Sequence, residues 1–240
     1  MRFRMNKITN GIITSIRLTA EGCEQKETLF VQKYLGTKRK FLCLRSQSRD
    51  KILRTAAEEL KKLDLEETIK ILDELFSTDT FEDFNFAGKL LTKLPEVRKA
   101  LKLSQIKKWV SHSNGWAECD SICQSLFHGE EISARWDEWQ KAIIIFSKDK
   151  NIQIRRASLV LQVKPMRELN DQRLRKLAFE TIEKLKVEKE VLITKAISWL
   201  LRELTRQDEA EVRKYLENNK SSLPTVAYRE AMRKIITGKK

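Results

Sequence analysis

The chain reads as an all-α protein, and three features of its 240 residues say so. Seven glycines and three prolines leave little material for the turns of an all-β fold. Leu, Lys, Glu, Ile, Ala and Arg dominate, and these side chains lose little freedom in a helix. Apolar residues recur at helical spacing with no convincing strand alternation between them. The arrangement predicted is an α-solenoid of HEAT-like helical pairs. Asn85-Phe-Ala-Gly-Lys-Leu-Leu, Gln153-Ile-Arg-Arg-Ala-Ser-Leu and Leu192-Ile-Thr-Lys-Ala-Ile-Ser-Trp-Leu-Leu each set a small residue before an aliphatic pair or triplet. The last two lie about forty residues apart, the spacing of HEAT-type repeats. Stacked pairs of this kind curve, so the expectation is one domain over residues 1–240 around a concave basic face.

Residues 1–20 are ambiguous, with a short helix around Ile12 to Ile16 as the reading. From Glu24 the pattern turns helical and stops at Leu35-Gly36, where glycine suits a helix end. Lys38, Arg39, Lys40, Arg45, Arg49, Lys51 and Arg54 follow with only Asp50 against them. That run is a phosphate-contacting surface or a solvated face. Helices are then predicted at Ser48–Leu63, Leu65–Phe76 and Thr80–Leu94, and from Pro95 or Glu96 to Val110. Asn114-Gly115 marks a turn. Beyond it Cys119, Ile122, Cys123, Leu126 and Phe127 fall at i, i+3, i+4, i+7 and i+8 of a helix that opens near Trp116. Further helices are predicted at 131–147, 151–164, 168–186, 188–206, 208–219 and 223–237.

The net charge of +14 and pI near 9.6 give a field that attracts polyanions. Nucleic acid comes first, an acidic membrane surface second, and a Lys-rich solvated surface is the plain alternative. Four cysteines in a chain this long do not make a disulfide framework. Cys119 and Cys123 lie on the apolar stripe as buried thiols, and Cys-x3-Cys with His112 and His128 is a poor zinc spacing. No apolar run approaches a membrane span and the N-terminus has no apolar signal core, so a reducing cytoplasm is expected.

Three clusters stand out from this scaffold. Asp120 sits one turn after Trp116 at the margin of the apolar stripe, where a helix has no local need for Asp. Trp199 lies off the stripe of its own helix and shares a flank with Lys195, Arg202 and Arg206. Such an indole could stack on a base or sugar while the cations bind phosphates; otherwise it covers the edge of a neighbouring helix. Arg156 lies among Ile152, Leu159, Val160 and Val163, where a cation needs a carboxylate or a phosphate.

Trp116-x3-Asp120, Gln153-Ile-Arg-Arg156-Ala and Lys195-Ala-Ile-Ser-Trp199-Leu-Leu-Arg202-Glu, in that order, resemble the signature of the DNA alkylation repair family. These are the AlkD-type alkylpurine DNA glycosylases, built from HEAT-like repeats. The resemblance runs from about Gln25 to Ile236. It implies Asp120 as catalytic carboxylate, Trp116 and Trp199 as substrate-facing indoles, Arg156 as the arginine near them and Arg202 as a backbone contact. It implies base-excision repair of double-stranded DNA containing cationic N3- or N7-alkylated purines, without a deep pocket for a flipped base, a metal or a cofactor. A monomer with no obligate protein partner is expected. One departure is plain: where the family has Phe-Leu-Gly-(Val/Ile)-Arg-x-Pro, this chain reads Phe41-Leu42-Cys43-Leu44-Arg45-Ser46-Gln47. Both the Gly and the Pro are replaced.

The implied chemistry stands on its own terms. An alkylated purine cation is already a good leaving group, so the reaction lacks only charge stabilisation at the sugar and a placed water. A carboxylate suits both tasks, and aromatic faces favour cations. The competing reading is a non-catalytic HEAT-like repeat protein that binds DNA or RNA. A protein-interaction scaffold would not need the charge of +14.

Overall fold

The structure, a computed structural model, describes residues 5–20 and 25–239. Cys23, and Glu24 where the second helix was expected to open, lie outside the described residues. Among those described the chain is helical throughout and carries no strand, only an isolated bridge between Lys40 and Thr80. The helices are α1 (Lys7–Thr19), α2 (Gln25–Leu35), α3 (Ser46–Leu60), α4 (Leu65–Phe76), α5 (Phe81–Leu90), α6 (Pro95–Ala100), α7 (Leu103–Ser111) and α8 (Trp116–Ser125). They continue with α9 (Gly129–Ala134), α10 (Trp136–Phe146), α11 (Ile152–Val160), α12 (Val163–Glu168), α13 (Gln172–Leu185), α14 (Val191–Leu204), α15 (Glu209–Asn218) and α16 (Thr225–Thr237).

Local chemistry sets the boundaries. Asn6, Asp64, Asn151, Asp171 and Asp208 each cap a helix start by accepting a backbone N–H from its first turn. Three expected helices are broken: the 151–164 segment stops at Val160, and α12 opens at Val163 after a two-residue turn. The segment from Pro95 to Val110 breaks at Leu101, which turns extended at ψ 131° and buries its side chain. The 131–147 segment breaks at Arg135, whose φ of −126° and ψ of 33° leave the helix while its guanidinium pairs with Glu138 beyond the break. A break this short lets the apolar stripe resume, so periodicity alone passes over it.

The packing groups the chain into two compact units, Met1–Leu126 and Phe127–Lys240. In the first, α4 packs on α5 and α7 on α8, while α3, α5 and α8 stack in succession; α1 lies against α3, α4 and α5. Its core holds an aromatic cluster, with the Phe76 ring 5.0 Å from Phe84 and 4.8 Å from Trp109. In the second, α10 pairs with α11, α13 with α14 and α15 with α16, and α11, α14 and α16 stack in turn. That is the repeat logic of a HEAT-like fold, each pair burying what its neighbour exposes. Small residues permit close approach: a Cβ on Gly88 of α5 would stand 2.5 Å from the Ser121 hydroxyl of α8. The echo in the sequence marks α5, α11 and α14, each a member of its unit's stack. No helix is long and apolar enough to cross a membrane among the described residues.

Candidate functional site

In the first unit the site begins with the end of α2. Gly36, at φ +70°, terminates that helix in the left-handed region open to glycine. Gly115 opens α8 against it: a Cβ there would lie 2.5 Å from the Gly36 carbonyl and the Leu35 oxygen, so only glycine fits. The next residue, Trp116, donates its indole N–H to the Tyr34 carbonyl at 2.7 Å, supplying one of the partners that α2's last turn lacks. The Tyr34 and Trp116 rings meet edge-on at 5.6 Å. Glu118, fully buried, locks the same junction by accepting from the Thr37 hydroxyl, from Arg39 Nε at 3.3 Å and from the Asn114 N–H at 2.7 Å.

Trp116 and Asp120 thereby come to line a groove of about 910 Å³ between α3, α5 and α8. Arg49, Arg54, Lys89 and Lys93 share it. Arg49 pairs with Asp50 at 3.2 Å. Arg54, Lys89 and Lys93 have no ion pair with any described carboxylate. Burial, with the Arg49 charge behind it, pulls the Lys89 ammonium below its ordinary range. An anion beside Lys89 would favour its charged form and so oppose that shift.

The basic run 38–54 therefore divides. Arg39 is a structural side chain, not a phosphate contact. It is nearly buried, donates to the Thr78 carbonyl and, at 2.6 Å, to the His112 carbonyl, and stacks 4.5 Å over Phe84. Arg49 and Arg54 face the groove. Cys43, standing where the family carries glycine, keeps a glycine-like φ of 60° and is disulfide-bonded, a tie that the composition did not suggest. Glu82 braces this loop by accepting the Leu42 N–H at 2.9 Å; burial raises its carboxyl above the ordinary range against the backbone donors. Cys119 and Cys123 are buried thiols, as their stripe predicted. Among the described residues no group of three potential metal ligands gathers.

The second unit holds the other candidates. Arg156 is 4% exposed, and one of its guanidinium nitrogens donates to the Leu192 carbonyl at the start of α14. Trp199 is half-buried on α14, and its indole N–H donates to Glu203 Oε1 at 3.2 Å. Glu203 is 2% exposed and also receives Arg167 Nη2 at 2.7 Å, while Arg206 Nε lies 3.3 Å from its other oxygen. The Arg167 guanidinium carbon stands 5.6 Å from the Trp199 ring centre. Lys195 and Arg202 meet Glu230 of α16, at 2.9 Å and 3.9 Å, and the Ser198 hydroxyl donates to the same carboxylate. The three cations read around Trp199 are present, but each faces a carboxylate.

Glu203, Glu230 and Arg167 escaped the reading of the sequence, as did Lys89 and Lys93. One signal was available: Glu203 follows Trp199 by four residues, as Asp120 follows Trp116.

The family model described as "DNA alkylation repair enzyme" matches residues 18–235. The chain belongs to that family. Solved structures agree on the fold. A predicted DNA alkylation repair enzyme from Enterococcus faecalis superposes with a TM-score of 0.73 at 17% identity, over 88% of this chain and 95% of its own. AlkD2 from Streptococcus mutans superposes with a TM-score of 0.58 at 17% identity, over 86% of this chain and 96% of its own. No curated protein matches the chain. The fold of these family members is the helical-repeat fold that the periodicity predicted.

Proposed function

We propose that this member of the family is a DNA glycosylase that hydrolyses the N-glycosidic bond of cationic N3- and N7-alkylated purines in double-stranded DNA. The observation that carries the reading is the groove where Asp120 and Trp116 stand beside Arg54, Lys89 and Lys93, three cations with no ion pair to a described carboxylate. Such cations attract a phosphate backbone. A carboxylate among them repels phosphate but suits a centre where positive charge develops. The oxocarbenium-like sugar of a departing purine supplies that charge.

In this reading Asp120 stabilises the sugar cation and orients the attacking water. Trp116 offers a negative ring face to the sugar and to the cationic base. Trp199, by the resemblance, is the second substrate-facing indole, with Lys195, Arg202 and Arg206 as phosphate contacts on its flank. Arg156 holds α14 through the Leu192 carbonyl and so places Trp199. No Lewis acid is needed, because the base leaves as a neutral molecule without prior protonation. The reaction belongs to base-excision repair, acts on DNA as a monomer and takes place in the cytoplasm.

The test is release of free base from DNA containing N7-methylguanine or N3-methyladenine, with the chain and its Asp120→Asn variant in buffer with chelator. Release by the chain, lowered on the order of a hundredfold or more by Asp120→Asn at unchanged DNA affinity, is expected. Equal release by both overturns the role of Asp120. Tight salt-sensitive binding with no release by either makes the chain a non-catalytic DNA-binding repeat protein.

A further inference from the structure

We propose that Glu203 is a positioning residue that fixes the Trp199 indole and seats the Arg167 guanidinium on that ring. What Trp199 does for the reaction rests on the glycosylase reading; what Glu203 does to Trp199 rests on geometry alone.

A carboxylate that is 2% exposed in a helix needs a reason to be there. Glu203 meets three side chains, and two of those contacts converge on one aromatic ring. It accepts the Trp199 indole N–H at 3.2 Å from one turn away on α14. It accepts Arg167 Nη2 at 2.7 Å, reaching across from α12. Arg167 in turn lies 5.6 Å from the Trp199 ring centre, within cation–π range. Arg206 approaches the second oxygen at 3.3 Å as an ion-pair contact, and that oxygen accepts no hydrogen bond.

The indole of a half-buried Trp can turn about χ2 unless its N–H is held. A carboxylate holds it more firmly than a neutral acceptor does. It also places negative charge at the N–H edge, which strengthens the ring's hold on the Arg167 guanidinium. Burial pushes the Glu203 carboxyl up, yet the Arg167 bond and charge, Arg206 and the indole outweigh it and keep Glu203 below its ordinary range. It stays charged where the enzyme works.

The alternative is that Glu203 merely ties α12 to α14. Two readouts separate the roles. The first is acrylamide quenching of the Trp199 emission, taken as the difference between the chain and Trp199→Phe. Glu203→Gln should raise that quenching; unchanged quenching overturns the proposal. The second is single-turnover base release in a double-mutant cycle. Glu203→Gln should slow release roughly ten- to hundredfold in the native chain. In the Trp199→Phe background it should change release by less than about twofold, because the indole N–H is already gone. An equal loss in both backgrounds assigns Glu203 to the scaffold and overturns the proposal. If the native chain releases no base, the glycosylase reading fails and quenching alone decides the role of Glu203. Should Glu203→Gln not fold, Glu203→Asp draws the carboxylate back from the indole and should give the same rise in quenching.

Discussion

The chain holds two Trp-x3-carboxylate pairs and settles them in opposite ways. Trp116 gives its indole N–H to a backbone carbonyl, Tyr34, so Asp120 is not spent on the ring four residues before it. Trp199 gives its N–H to Glu203, its own i+4 carboxylate, and Arg167 and Arg206 crowd the same group. The cations follow suit. Arg54, Lys89 and Lys93 stand in the Trp116 groove with no ion pair to a described carboxylate, whereas Lys195 and Arg202 share Glu230 on the Trp199 flank. One spacing thus serves two purposes. Where main chain seats the indole, the i+4 carboxylate does not hold the ring; where a carboxylate seats it, the pair is a fixture. Charge density along the sequence does not separate the two, because it counts the cations and not their partners.

The largest effect should come from the main-chain seat. Gly115→Ala puts a Cβ 2.5 Å from the Gly36 carbonyl and must push α8 off the end of α2. A loss of roughly 1–3 kcal/mol in thermal or denaturant unfolding is expected, as for other overpacked contacts. Base release should fall by about a hundredfold as Trp116 shifts. Gly11→Ala, whose Cβ meets nothing within 4 Å, is the control. If the two variants behave alike, the seat is not what places Trp116.

Next come the cations. Lys89→Gln, Lys93→Gln and Arg54→Gln should each reduce the slope of log affinity against log salt by about one unit for one lost phosphate contact. Lys195→Gln and Arg206→Gln should do less, since a carboxylate already offsets each of them. Equal slopes from the two sets would break the comparison. Glu230→Gln sharpens it from the other side: Lys195 and Arg202 lose their partner, so affinity for DNA should rise a few-fold and the salt slope steepen. Weaker binding by Glu230→Gln would mean that the carboxylate aims those cations rather than quenching them.

The helical fold was legible because the apolar stripe is long, and Gly36 and Pro95 punctuate it where helices end or begin. The breaks at Leu101 and Arg135 were not, since a kink of one or two residues hardly disturbs a stripe. Trp116 and Asp120 were legible as oddities, an aromatic and a carboxylate at the margin of a core face. Their setting was not: Tyr34 and Gly36 lie some eighty positions earlier, and nothing in the spacing of α8 points to them. Arg39 shows the same limit. It looked like part of a basic surface and is instead a largely buried strut on Glu118 and Phe84, a role fixed by tertiary contacts alone. Glu203 was within reach of the i+4 rule, yet it read as an ordinary helix carboxylate because burial depends on α12.

The smallest effect concerns pH, and there the two units should move in opposite directions. In the second unit, burial pushes Glu203 and Glu230 up, but Arg167, Ser198, Lys195 and the other donors hold both below the ordinary range. Each therefore binds its proton more readily unfolded than folded. The stability each confers is full above the unfolded value and is lost as pH falls through the lower folded one. In the first unit, burial raises Glu82 and Asp83, against the Leu42 amide and against Arg17 at 3.0 Å. These bind their protons more readily folded, so their contribution is full below the unfolded value and is lost as pH rises through the raised folded one. Hydrogen exchange corrected for its intrinsic pH dependence should show this. Protection of α5 peptides should fall as pH climbs from the carboxylate range toward neutrality, while α14 peptides hold until acid reaches Glu203 and Glu230. Glu82→Gln should flatten the first trend and Glu203→Gln the second. If α14 also loses protection on the way to neutral pH, the ion pairs of the Trp199 flank are not what stabilises it.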